Sequence, residues 1–104
     1  MLKGRAPTKA EQLHMSKVAA LGCVCCRLDK GIESPAIIHH CKGKTIPNAH
    51  FYVLPLCYLH HTSGADCDKY TSRHPHKARF EQRYGTEQHL IEWVANQIGA
   101  AYDN

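Results

Sequence analysis

His39 and His40 stand side by side at the end of the short apolar run AIIHH, and His60 and His61 form a second pair in LCYLHH. Neutral imidazole is a common metal ligand, and with an unperturbed pKa of about 6.5 it also exchanges a proton near neutral pH. The chemistry on offer is therefore metal-assisted hydrolysis. Successive side chains on a strand point to opposite faces, so His39 and His40 are not expected to share one ion. One imidazole can ligate a metal while its neighbour takes a proton from water. On a helix His61 projects about 100° away from His60, which aims the two at different centres. The next residues, Lys42-Gly43-Lys44-Thr45, end like a phosphate-binding P-loop. That motif requires a glycine where Ile38 stands, so P-loop chemistry is excluded.

The cysteines supply a second pattern. Cys23 and Cys26 form a CxxC, and Cys57 with His60 forms a CxxH further along. Two such knuckles separated by structured chain are the usual anatomy of a tetrahedral structural zinc site. The expected quartet is Cys23, Cys26, Cys57 and His60, although Cys25 lies between the first two and leaves open which of Cys23 and Cys25 contributes. Cys41 and Cys67, with His50 between them in sequence, are either a second zinc site or buried thiols. Asp66 and Asp68 are either further ligands of a catalytic ion or, as acidic loop residues usually are, simply solvated. His14, His76 and His89 read as surface residues of helices.

Six cysteines and nine histidines are unusual in 104 residues, a length that makes one small domain for which a metal staple is useful. The net charge of +4 fits an anionic partner. MLKGRAPTKAEQ lacks the apolar stretch of a secretory signal, and no apolar run is long enough to span a bilayer. A cytoplasmic protein with no membrane partner is expected, and in that compartment thiols stay reduced and serve as metal ligands.

These residues need elements to position them. Residues 1–7 read as a flexible basic arm carrying Lys3 and Arg5, and residues 8–104 as the folded domain. Thr8 and Glu11 have capping-box spacing, Leu13, Met15, Val18 and Ala19 supply an apolar stripe, and Gly22 ends the helix. CVCC then enters a turn-rich link running through Asp29 to Pro35. Strands are expected over Ala36–His40 and His50–Leu56, separated by a loop. YLHHTSG predicts a short helix stopped at Gly64, and residues 65–73 read as irregular. Pro75 suits the first position of a helix reaching Tyr84, and a last helix from Thr86 buries Leu90, Ile91, Val94 and Ile98. The order strand, loop, strand, short helix, with metal-type residues at the junctions, makes the fold class α+β: a small zinc-stabilised ββα-metal domain flanked by helices.

The segments PTKAEQLHMSKVAALGCVCC, SPAIIHHCKGK, HFYVLPLCYLHHTSG and RHPHKARFEQRYGTEQHLIEWV together resemble the Ref family, phage recombination-enhancement nucleases of the HNH (ββα-metal) superfamily that cut DNA where RecA is loaded. The resemblance implies a metal-dependent DNA endonuclease acting with a RecA-type filament on single-stranded or displaced-loop DNA, phage or prophage encoded in a bacterial host. It makes His40 the general base, and His39, His61 and His74 the ligands of a catalytic Mg²⁺ or Mn²⁺. His74 takes precedence over His76 because of its spacing from Phe80-Glu81. The structural ion is then Zn²⁺. His50 matches a family histidine at the second strand, either as an extra zinc ligand or as a brace for the loop. The HNH asparagine has no obvious counterpart. Lys42, Lys44, Arg73, Lys77, Arg79 and Arg83 are candidates for phosphate contacts that position DNA without reading its sequence. The rival expectation is a non-catalytic zinc module that binds DNA or a recombination protein.

Overall fold

The computed structural model describes residues 6–99. Most of the expected arm, with Lys3 and Arg5, and the last residues of the expected domain lie outside that range.

Helix α1, Lys9–Leu21, begins as its sequence predicts. The Thr8 hydroxyl accepts from the Glu11 N–H at 3.2 Å, and the Glu11 carboxylate accepts from the Thr8 N–H at 2.8 Å. Its inward face differs from the expected stripe. Glu11, His14 and Val18 are buried, whereas Leu13 is 56% exposed. His14 is thus not a surface residue; its ring lies 5.1 Å from that of Phe51. Gly22 closes the helix at φ 86°, where a Cβ would come within 2.8 Å of the Ser34 carbonyl oxygen. That carbonyl accepts from the Cys23 N–H at 3.0 Å, so the glycine lets two backbones meet at the point where the first knuckle begins.

A helix, α2 over Val24–Lys30, replaces the first part of the expected turn-rich link. Residues three apart share a helix face. The helix therefore sets Cys26 beside Cys23, its N-cap residue, and Gly31 stops it in the left-handed conformation. Strand β1, Ile37–His40, pairs antiparallel with β2, Val53–Leu56, in the register Ile37 to Leu56 and His39 to Leu54. The second strand begins later than expected, because Ala49–Phe51 form a 3-10 turn entered through Asn48 at φ 63°. Pro55 is tolerated in β2 because a two-stranded sheet consists of edges.

Helix α3 is a single turn, Tyr58–His61. Helix α4, Lys77–Tyr84, starts two residues after Pro75, with His76 at its N-cap. Thr86 caps α5, Glu87–Gln97, by accepting from the His89 N–H at 3.1 Å. Helices α1, α2 and α5 pack against β2, all four residues of which are buried. Val18, Val24, Cys25, Leu54, Leu56, Phe80, Leu90 and Val94 fill the core between them. The result is a small α+β domain in which helices pack against the buried strand β2 of a two-stranded sheet. Among the described residues no helix is long and apolar enough to cross a membrane.

Candidate functional site

Among the described residues, metal-type side chains form three groupings, of which the third, His39, Cys41 and Glu87, shares His39 with the second; His60 and His61 of α3 serve the first and second. In the first, Sγ of Cys23, Cys26 and Cys57 and Nδ1 of His60 converge. A tetrahedral zinc site, with Zn–S about 2.3 Å and Zn–N about 2.0 Å, has S–S edges of about 3.8 Å and S–N edges of about 3.5 Å. Cys26 and Cys57 are 3.8 Å apart, and Nδ1 of His60 is 3.5, 3.6 and 3.1 Å from the three sulfurs. By themselves, thiols packed this closely cannot all lose their protons. Neighbouring Cys25 lowers the Cys23 thiol to about 3, against burial and together with His60. Burial and the charges of Cys23 and Cys57 push Cys26 up to about 12. A dication resolves the conflict by deprotonating its ligands outright. The donor set, the edge lengths and burial together fit a metal such as zinc. Cys25, the alternative to Cys23, turns into the core instead, and burial raises its pKa.

The second cluster is built by three segments. His39 comes from β1, His61 from α3 and His74 from the turn before α4, with one nitrogen of each within 4.8 Å of the others. The rings meet edge-on at centroid distances of 5.0, 5.4 and 5.4 Å. Backbone bonds hold the second and third segments together. The His74 N–H donates to the His61 carbonyl at 2.9 Å, and the buried Ser72 hydroxyl lies 2.9 Å from that carbonyl and 2.6 Å from the carbonyl of His74. His39 is buried, His61 half-buried and His74 exposed, so the cluster opens to solvent on one side. Burial, followed by cationic neighbours, lowers the pKa of both His61 and His74, which favours the neutral imidazole that ligation requires. His76 turns away, and its Nε2–H donates to the Gly64 carbonyl at 3.1 Å.

A residue that borders this cluster has little signature in the sequence. The Glu87 carboxylate accepts from Nε2–H of His39 at 2.7 Å and from Nε–H of Arg73 at 2.7 Å, through the same oxygen. An acid just after a Thr cap reads as a helix-dipole residue, which it also is. Burial opposes its charge, but the His39 and Arg73 hydrogen bonds outweigh that and hold it at about 2. Arg73 is accordingly drawn inward, with a side chain only 14% exposed, rather than standing free for DNA.

His40 lies on the other side of β1. Its Nε2 is 3.0 Å from Nδ1 of His50, one N–H donating to the other ring's lone pair. Burial, then Lys44, His50 and His39, lower its pKa and favour the neutral form. His50 therefore braces His40. Among the described residues, no metal-type grouping unites His50 with Cys41 and Cys67, so the second zinc site is not formed. Cys67 is exposed on a loop where Arg83 donates to its carbonyl at 2.7 Å. Cys41 instead neighbours His39 and Glu87, and burial together with the Glu87 charge pushes its thiol up to about 12. Asp66 accepts from Thr71 and pairs with Arg79 at 3.6 Å, outside both clusters. Lys42, Lys44, Lys77 and Arg79 remain as exposed cations, with Lys42 over the Tyr52 ring at 4.5 Å. Arg83 is tied to the backbone of Cys67 and Asp68 and to Asp29.

Both clusters fall within one family assignment. A family model described as recombination enhancement, RecA-dependent nuclease matches residues 7–99 and so spans every side chain named in the two clusters. The chain belongs to the recombination-enhancement, RecA-dependent nuclease family.

Proposed function

We propose that this nuclease uses HNH, ββα-metal chemistry, with His39, His61 and His74 holding a catalytic divalent ion and His40 acting as general base. One observation carries the reading: three imidazoles from distant segments converge beside a strand whose next residue points a fourth, neutral imidazole to the other side. A divalent ion held there would polarise the scissile phosphate and stabilise the departing 3′-oxygen. Mn²⁺ suits an all-histidine set better than Mg²⁺, which prefers oxygen.

The chain's own residues do the rest. His40 accepts a proton from the attacking water through the nitrogen that does not face His50, and His50 fixes the ring so that this nitrogen looks outward. Lys42, Lys44, Lys77 and Arg79 contact phosphates from the exposed surface. The Cys23, Cys26, Cys57 and His60 site holds zinc and fixes α3. The substrate is single-stranded or displaced-loop DNA in contact with a RecA-type filament; the protein is encoded by a phage or prophage and acts in the bacterial cytoplasm.

The test is cleavage of single-stranded and supercoiled DNA with Mg²⁺ or Mn²⁺, with and without RecA and ATP. His40→Ala should lower the cleavage rate by about 10²- to 10⁴-fold at equal zinc content. A variant that cuts like wild type removes His40 from the chemistry.

A further inference from the structure

Among the described residues, Glu87 is the acid whose carboxylate touches the histidine cluster, and its bond to His39 constrains what His39 can do. A ring nitrogen that donates a proton to a carboxylate has no lone pair left for an ion. The Nε2 of His39 lies 2.7 Å from Glu87 Oε2, and Arg73 donates to the same oxygen at 2.7 Å. The His39 side chain is 5% exposed and that of Glu87 11%, so water does not compete freely for the bond. Glu87 occupies the first position of α5, where the helix amides favour its charge. We propose that Glu87 is a positioning residue: it fixes the His39 ring with the proton on Nε2, leaves Nδ1 as the nitrogen that faces the ion, and holds Arg73 at the edge of the site. This rests on the metal-binding reading of the three histidines, and carboxylate–histidine–metal relays of this kind are a general means of orienting a ligand.

The arrangement also gives Arg73 a definite place. Its Nε is committed to Glu87, and its neighbour His74 belongs to the histidine cluster. The Arg73 N–H donates to the His60 carbonyl at 2.9 Å, so both its main chain and its side chain are fixed. Glu87 thus links β1, α5 and the turn before α4 through one oxygen atom.

The experiment is ¹⁵N NMR of the histidine rings in the full chain with zinc bound at the cysteines, at a pH above the imidazole range, before and after a second equivalent of Zn²⁺. The expected result is Nε2–H on His39 from the start, with the added ion shifting Nδ1 and leaving Nε2–H in place. A metal-induced shift on Nε2 of His39, or a mixture of tautomers before addition, overturns the proposal. If none of His39, His61 and His74 responds to the ion, the metal-binding reading fails, while the initial tautomer of His39 still decides the role of Glu87. Glu87→Ala should mix the tautomers and weaken the second Zn²⁺ by about 10- to 100-fold. Glu87→Gln keeps an acceptor oxygen and should restore the tautomer and most of the affinity. Equal losses in the two variants would make Glu87 a direct ligand and overturn the positioning role.

Discussion

The two clusters differ in almost every respect although adjacent residues, His60 and His61, serve them. The cysteine cluster is closed: three of its four members are buried, His60 is fully so, and the Tyr70 and Tyr84 rings pack edge-on against it at 5.8 and 5.1 Å. The histidine cluster runs from buried His39 to exposed His74 and carries no sulfur. Closed tetrahedral sites hold structure, and sites with an open side leave room for a reacting group. Under the proposed function, the difference gives stability to one cluster and chemistry to the other.

That division is sharpest under metal removal. Structural zinc contributes about 10–16 kcal/mol in small zinc modules, comparable to or above the whole stability of a domain. Chelation, or Cys26→Ser, should therefore abolish the cooperative melting transition followed by circular dichroism. A chain that melts normally after chelation would make the cysteine cluster an ordinary core. His61→Ala should do the reverse, lowering divalent-metal affinity by at least about 10-fold while the melting temperature stays within about 4–8 °C of wild type, the equivalent of about 1 kcal/mol. Unfolding of that variant would merge the two roles.

Acid probes the edge of the histidine cluster. The folded pKa of Glu87, about 2, lies below its ordinary value of 4.5, so its contribution is fully present above pH 4.5 and is lost as pH falls toward 2. Wild type should exceed Glu87→Gln by about 1–3 kcal/mol at neutral pH in denaturant titrations, and the gap should close in strong acid. The comparison cancels the separate acid sensitivity of the thiolates. The smallest effect belongs to the surface: replacing Lys42 and Lys44 by Ala should reduce the salt dependence of DNA binding by a slope of about 1 for each phosphate that is no longer neutralised.

The cysteine-rich quartet is legible in the sequence because metal sites impose spacing, whereas His61 and His74 join His39 only through the family resemblance. CxxC and CxxH name the first quartet, and alternation on a strand separates His39 from His40. The caps Thr8 and Thr86 mark helix starts through chemistry local to four residues. What escapes depends on pairings between distant segments. Helix α2 has no apolar periodicity of its own, and its Cys23 and Cys26 face ligands that arrive much later in the chain. His14 and Glu11 are polar residues on the buried face of α1, so a hydrophobic stripe points to the wrong side. Glu87 lies 48 residues from His39, and nothing near either residue announces their bond.

The single turn of α3 has a further consequence. Consecutive Cα atoms are about 3.8 Å apart across a trans peptide, and the bond between them barely flexes. A backbone shift that carries His60 out of the cysteine cluster therefore also shifts His61, whose ring belongs to the other cluster. Under the proposed function, a chain that is newly made, oxidised or stripped of zinc would be disarmed, and the capacity to cut DNA would be confined to molecules that have finished folding.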